Sequence, residues 1–403
     1  MLKKIPVDAV RLGMFIQKLG GGWLAHPFWR SSFLLDSADD LARIRASGIT
    51  EVCIDTDKGC DVDAATGPEQ APAQCTVEPG EPAAAARPRA ARVELAEEIG
   101  QARRLYERSR PQVRAMFGEA RLGRAIDAER ARALVQDIAD SLDRNPWAMI
   151  SVARLKTADE YTYMHSVAVC ALMVALARQL ELSEDETRQA GIAGLLHDIG
   201  KARLPMDILN KPGRLTEDEF AVIKTHPRLG WELLRELGDV GDIALDVCLH
   251  HHEKLDGTGY PGGANDQGIS VYARMGAVCD IYDAVTSNRP YKKGWDPAAS
   301  LRNMKTWTQG HLDERIFAAF VKSVGIYPIG SLVRLESGLL GVVVEQAEHS
   351  LLTPRVRAFY SAKSRGYVQP RFVDLSSAAT QDRIVGPENA ADWGITNVDE
   401  YWQ

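Results

Sequence analysis

His250-His251-His252-Glu253-Lys254-Leu255-Asp256-Gly257-Thr258-Gly259-Tyr260-Pro261 is the stretch on which the reading of this chain turns. Three imidazoles crowd what reads as a helix end, and Gly257, Gly259 and Pro261 then fix the course of a loop. Neighbouring residues on a helix point about 100° apart, so adjacent histidines suit adjoining coordination positions better than a single one. Upstream, His197-Asp198-Ile199-Gly200-Lys201 sets an imidazole beside a carboxylate. One borderline and one hard ligand make the mixture that iron, manganese, nickel or zinc takes in hydrolytic sites. The chain has nine histidines, and six of them fall between His165 and His252, which concentrates ligand chemistry in its middle.

A chain of 403 residues allows two or three domains and a sizeable core. A composition 45% hydrophobic and 26% charged is that of a soluble globular protein. The net charge of −7 leaves no basic excess to offset phosphate repulsion, which excludes a general DNA binder. A local basic patch still suffices for a small dinucleotide. The first residues, Met1-Leu2-Lys3-Lys4-Ile5-Pro6-Val7-Asp8, meet a proline and an acid before any apolar run, so no signal peptide is read. Val167 to Leu176, the longest apolar helix candidate, is too short to span a bilayer. Six cysteines form neither a CxxC pair nor a disulfide framework and read as reduced, buried thiols. A cytoplasmic protein without membrane insertion is expected.

Residues 1–63 read as a small α+β domain. Val10 to Ile16 and Glu51 to Asp55 are strand-like runs, with a helix expected from Ser37 to Ser47 between them. Trp23, Phe28, Trp29 and Phe33 are more readily its core than a ligand platform. Residues 64–91, rich in Pro and Ala, cannot bury a core and read as a linker. Apolar residues at helical spacing predict one or two amphipathic helices over 92–145, packed on the next domain or on a second copy in a homodimer. Residues 146–325 read as all-α. Ser183 with Glu186 and Thr216 with Glu219 form capping boxes, and Pro227 opens a helix at its first position. Over 326–403 the runs Gly330–Leu335, Leu340–Glu345 and Arg355–Tyr360 predict a small β appendage lasting to about Val373, followed by a loose tail.

The two histidine-rich anchors resemble the HD-GYP family, metal-dependent phosphodiesterases that degrade the bacterial messenger cyclic di-GMP. The family pattern HHE-x-x-DG-x-GYP is matched without a gap from His251 to Pro261, a specific signal. The resemblance implies a mainly α, multidomain protein: an all-α helical domain of the HD superfamily, the small N-terminal domain that often accompanies it, and a β appendage. It also implies a ligand set of His165, His197, Asp198, His226, His251, His252 and Asp280, with Asp198 bridging two divalent cations. Iron or manganese come first among these, then nickel, cobalt or zinc. His250 falls outside the aligned motif and reads as a neighbour of the site. Some relatives carry a glutamate four residues before the first histidine, which enables a third metal. Here that position is Tyr161, and Glu160 is rotated by about 100°, so two metals are expected.

The implied reaction opens cyclic di-GMP to linear pGpG and cuts that onward to GMP. Two cations lower the pKa of a shared water and offset phosphoryl charge, so no nucleophilic serine or cysteine is required. Lys201, Asp198 and Asp283 are the expected catalytic groups. Arg289, which can present two donors to a phosphate, and Lys292 are expected to hold the substrate phosphates. Tyr260 and its loop are expected to touch substrate or to recruit signalling proteins, while Glu253 and Asp256 orient the loop. Two rivals remain at this stage. One keeps the chemistry and changes the substrate to a hybrid cyclic GMP-AMP. The other is a non-catalytic cyclic di-GMP sensor, against which the intact ligand set and Lys201 count.

Overall fold

A computed structural model of the chain describes residues 2–19, 33–35, 41, 44–45, 51–60, 93–154, 161–211, 213–238, 240–287, 294–347 and 350–402. The chain divides into two units, Met1–Pro88 and Arg89–Gln403.

In the first unit four antiparallel strands, β1 (Leu2–Pro6), β2 (Phe15–Leu19), β3 (Phe33–Leu34) and β4 (Glu51–Asp55), pair in the order β1-β4-β2-β3. Strand alternation buries Ile5, Ile16, Val52 and Ile54, which join Val10, Met14, Leu35 and Ile44 in one core. The strand expected at Glu51–Asp55 is present. The one expected from Val10 to Ile16 is corrected: a 3-10 turn at Val7–Ala9 leads into that run, and a turn at Gly13, with φ of 85°, interrupts it. A positive φ cannot continue a pleated strand, so β2 begins only at Phe15. Most of the expected helix Ser37–Ser47, the residues Trp23, Phe28 and Trp29, and the whole of the expected linker lie outside the described residues.

In the second unit helix starts follow local chemistry. The helices are α1 (Leu95–Arg121), α2 (Ala128–Arg144), α3 (Ala148–Ala153), α4 (Tyr161–Gln179), α5 (Glu184–Leu196), α6 (Met206–Leu209), α7 (Glu217–Ile223), α8 (His226–Leu237), α9 (Asp242–His250), α10 (Val271–Thr286), α11 (Pro297–Trp307) and α12 (Glu314–Val324). Both expected capping boxes form: Ser183 and Thr216 accept from the amides of Glu186 and Glu219, whose carboxylates accept from the cap amides in return. Pro227 sits at the second residue of α8 rather than the first. The amphipathic helices α1 and α2 are pinned together by Glu98, fully buried, which accepts from Ser141 (2.8 Å) and from the Arg144 fork (2.7 and 2.8 Å). Both pack on α4, and α2 also packs on α5.

Helix α4 is apolar almost all round, as a central helix must be. It lies against α5, α10 and α12 as well as α1. Cys170, Cys248 and Cys279, one each on α4, α9 and α10, are buried free thiols, whereas Cys53 is half-buried and Cys60 exposed. No described helix is long and apolar enough to cross a membrane.

The C-terminal sheet, β5 (Leu332–Leu335), β6 (Leu339–Glu345), β7 (Arg355–Ser361), β8 (Gly366–Asp374) and β9 (Ile384–Pro387), is antiparallel in the order β8-β7-β6-β5-β9. The three expected strands are there, but the loose tail is corrected. Strand β9 pairs with β5, Tyr401 stacks on Phe359 at 3.8 Å, and Trp402 is buried. The fold is therefore mainly α, with a small antiparallel sheet near each end of the chain.

Candidate metal centre

Helix ends deliver most of the expected ligands to one buried point. His197 is the residue after the last turn of α5, and Asp198 follows it; His226 opens α8; His251 closes α9, with His252 next. His165 and Asp280 project from within α4 and α10. His165 Nε2 lies 3.0 Å from Asp280 Oδ1 and 3.6 Å from Asp198 Oδ2. His197 Nε2 is 3.5 Å from the same Asp198 oxygen. On the other side, His226 Nε2 and His251 Nε2 lie 3.2 and 3.9 Å from Asp198 Oδ1. His252 Nδ1 is 3.9 Å from Asp280 Oδ2. The two oxygens of Asp198 thus face different histidine sets.

The opposite edge of each ring explains which nitrogen faces inward. His197 Nδ1 meets the Gly194 carbonyl at 2.8 Å, and His226 Nδ1 the Ile223 carbonyl at 2.8 Å. His251 Nδ1 lies 3.0 Å from the Val247 carbonyl, and His165 Nδ1 2.6 Å from Asp283 Oδ2. Carbonyl and carboxylate oxygens only accept, so each Nδ1 carries the proton and each Nε2 of a neutral ring turns a lone pair to the centre.

Burial favours the neutral ring at His197, His251 and His252, whereas at His165 burial is outweighed by the carboxylates of Asp280 and Asp283, which raise it. Burial and neighbouring imidazoles push His251 well below its ordinary range, and burial brings His252 down to about 3. Burial alone would push Asp198 up, but Lys201, His197 and His226 hold it well below the usual carboxylate range. Asp280 follows the same pattern, with His165 the strongest partner. Three overlapping groups, His165-His197-Asp280, His226-His251-His252 and His197-Asp198-His251, each bring their ligand atoms within 4.8 Å of one another. His197 Nε2 is buried without a hydrogen-bond partner, although buried polar atoms nearly always have one. Imidazole nitrogens and carboxylate oxygens so arranged fit divalent cations.

The remaining expected residues fall around this centre. Lys201 Nζ bonds Asp198 Oδ2. Asp283 stands behind His165, where it orients the ring rather than facing the centre. The Tyr260 ring lies 4.7 Å from that of His252. Glu253, buried, accepts from the amides of Gly262 (2.6 Å) and Ala264 (3.0 Å), and Asp256 accepts from Thr258, so both tie down the loop as expected. His250 turns away to Asp246 (2.9 Å). Arg289, Lys292 and Glu160 lie outside the described residues, as does the Tyr161 side chain. Sequence reasoning missed Asp246, Ser270 and Tyr272, which link the helices behind the ligands. Of these only Ser270 carried a signal, as a serine preceding an apolar helical run.

Residues 128–316 match the HD domain family, and residues 2–131 match a domain of unknown function. A cyclic di-GMP phosphodiesterase of Pseudomonas aeruginosa is 55% identical over 100% of the chain and 96% of its own length. The cyclic di-GMP phosphodiesterase response regulator RpfG of Xanthomonas campestris is 47% identical over 31% of the chain and 34% of its own length. A 3'3'-cGAMP-specific phosphodiesterase of Vibrio cholerae is 36% identical over 42% of the chain and 36% of its length.

Proposed function

Because the chain belongs to the HD-GYP family of HD-domain phosphodiesterases, we propose that it hydrolyses cyclic di-GMP in the cytoplasm, to pGpG and onward to GMP, with two divalent cations. The observation that carries this reading is Asp198, whose two oxygens face two separate histidine sets. His165, His197 and Asp280 would hold one cation and His226, His251 and His252 the other, with Asp198 shared. When bound, such a pair lowers the pKa of a water and offsets charge on phosphoryl oxygens, chemistry that iron or manganese supplies and nickel, cobalt or zinc also fits.

The chain's own groups do the rest. Asp283 fixes the ring of His165 and keeps its proton on Nδ1. Lys201, held by Asp198, brings a positive charge to the edge of the centre. Glu253 keeps the loop bearing Tyr260 in place, where the ring can lie against the substrate or contact a partner protein. Arg289 and Lys292 would hold the phosphates of the substrate through charged hydrogen bonds. A pure sensor has no use for a complete ligand set, which favours the enzyme.

Manganese-loaded protein offered cyclic di-GMP and 3'3'-cGAMP in parallel, followed chromatographically, tests this reading. Cyclic di-GMP should disappear faster, with pGpG and then GMP rising, and metal analysis should return two ions per chain. No turnover, or faster loss of the hybrid dinucleotide, would overturn it. The phosphate grip has its own test. Arg289→Ala should keep both metals and raise KM by about ten- to a hundredfold, the worth of one charged hydrogen bond. An unchanged KM and kcat would remove Arg289 from the site.

A further inference from the structure

We propose that Asp246, Ser270 and Tyr272 are positioning residues: a polar brace across the helices α5, α9 and α10 that sets the spacing between the two halves of the metal centre. The proposal rests on the two-cation reading above. Asp246, in the middle of α9, reaches in two directions. One oxygen takes the Nδ1 proton of His250 at 2.9 Å, and the other accepts from the Ser270 hydroxyl. Ser270 is also the cap of α10, its oxygen accepting from the Ala273 amide at 3.0 Å. Two residues on, the Tyr272 hydroxyl donates to Glu186 Oε1 at 2.7 Å. Glu186 is the acid of the capping box that starts α5.

The start of α10 is therefore tied to the start of α5 and to the middle of α9. Each of those helices leads to ligands. From Glu186 to His197 along α5, and from Tyr272 to Asp280 along α10, is roughly 12–17 Å at helical rise. At the far ends His197 and Asp280 meet again at 3.9 Å. Helix α9 packs on both, and against α10 it passes close to Gly276, where a Cβ would lie 2.8 Å from Val247 Cγ1 and 3.5 Å from His251 Cβ. Helices joined at one end and packed without slack beside His251 hold a fixed separation. Burial, with Glu186 beside it, pushes the Tyr272 phenol up to about 12, so this donor keeps its proton through the working range. None of the three residues belongs to the ligand groups, and Asp246 lies on the side of α9 that His250 faces.

The test is manganese binding by the full-length protein, read by titration calorimetry and metal analysis, independently of activity. The unmodified chain should take two ions. Asp246→Ala should take the first with unchanged affinity and the second about tenfold more weakly, at the lower end of the 10- to 100-fold cost typical of groups behind metal ligands. Asp246→Asn, which can accept from only one of its two partners, should fall between, and it carries the test if the alanine variant does not fold. Ser270→Thr, which keeps the hydroxyl, should behave as the unmodified chain, whereas Ser270→Ala should resemble Asp246→Ala. Asp127→Ala, which removes the cap of α2, controls for stability alone. Unchanged second-site affinity in both Asp246 variants, or equal weakening in Asp127→Ala, would overturn the brace. An unmodified chain that binds no manganese would instead overturn the metal centre itself.

Discussion

Asp198→Ala should empty the centre of metal and lower turnover of cyclic di-GMP by more than about a hundredfold, the upper cost of disturbing a group that merely supports a ligand. The size of the effect follows from position. Asp198 is 1% exposed, and its oxygens face His165 and His197 on one side and His226 and His251 on the other. Removing it leaves Asp280 as the one carboxylate of the ligand set, and cations brought near one another would then repel with less compensation. Helical content by circular dichroism should stay close to that of the unmodified chain, since the residue lies just beyond α5 and makes no cap bond. A folded, inactive variant with full metal occupancy would show that Asp198 serves some other purpose.

Gly200→Ala should cost stability and metal together. Gly200 lies in the 3-10 turn Ile199–Arg203, directly after the ligands His197 and Asp198. A Cβ there would sit 2.0 Å from the carbonyl oxygen of His226 and 2.5 Å from the amide nitrogen of Gly230. Both are backbone atoms, so no side chain can swing aside and α8 must move as a body. His226 then retreats from Asp198, now 3.2 Å away. The expected loss is about 3 kcal/mol, the upper part of the range for overpacking, and a fall of several degrees in melting temperature. Manganese should raise the melting temperature of the unmodified chain and do so much less in the variant. Matching melting curves with and without manganese for the two proteins would contradict this account of the contact.

Much of the candidate site was legible because its ligands sit at helix ends, where short motifs survive intact in the sequence. His197-Asp198 and His251-His252 are neighbours in the chain as well as in space, and the capping boxes at Ser183 and Thr216 involve residues only three apart. What was not legible depends on distance along the chain. Asp283 serves His165 from 118 residues away, and nothing local to either announces the pair. Asp246 reads as an ordinary helical acid until Ser270 is brought beside it. In the N-terminal unit the alternation of Val10, Leu12, Met14 and Ile16 imitates a strand. Val10 and Met14 are indeed buried, but by a looped backbone that turns at Gly13. The order of the C-terminal tail was hidden because β9 finds its partner β5 some fifty residues upstream, and pairing at that separation leaves no periodic mark.

The shielded sulfurs of Cys170, Cys248 and Cys279 give this protein an internal stopwatch. Each of three core helices that carry or flank the ligands holds one thiol closed to reagent, while Cys60 stands open. An alkylating agent added to the native protein marks the exposed Cys60 at once and reaches Cys170, Cys248 and Cys279 only when their helices part. If the three are modified at one common rate, the helical core opens as a single cooperative body. If Cys248 on α9 runs ahead, α9 detaches first and the order of dismantling can be read by mass spectrometry, residue by residue, from the chain's own thiols.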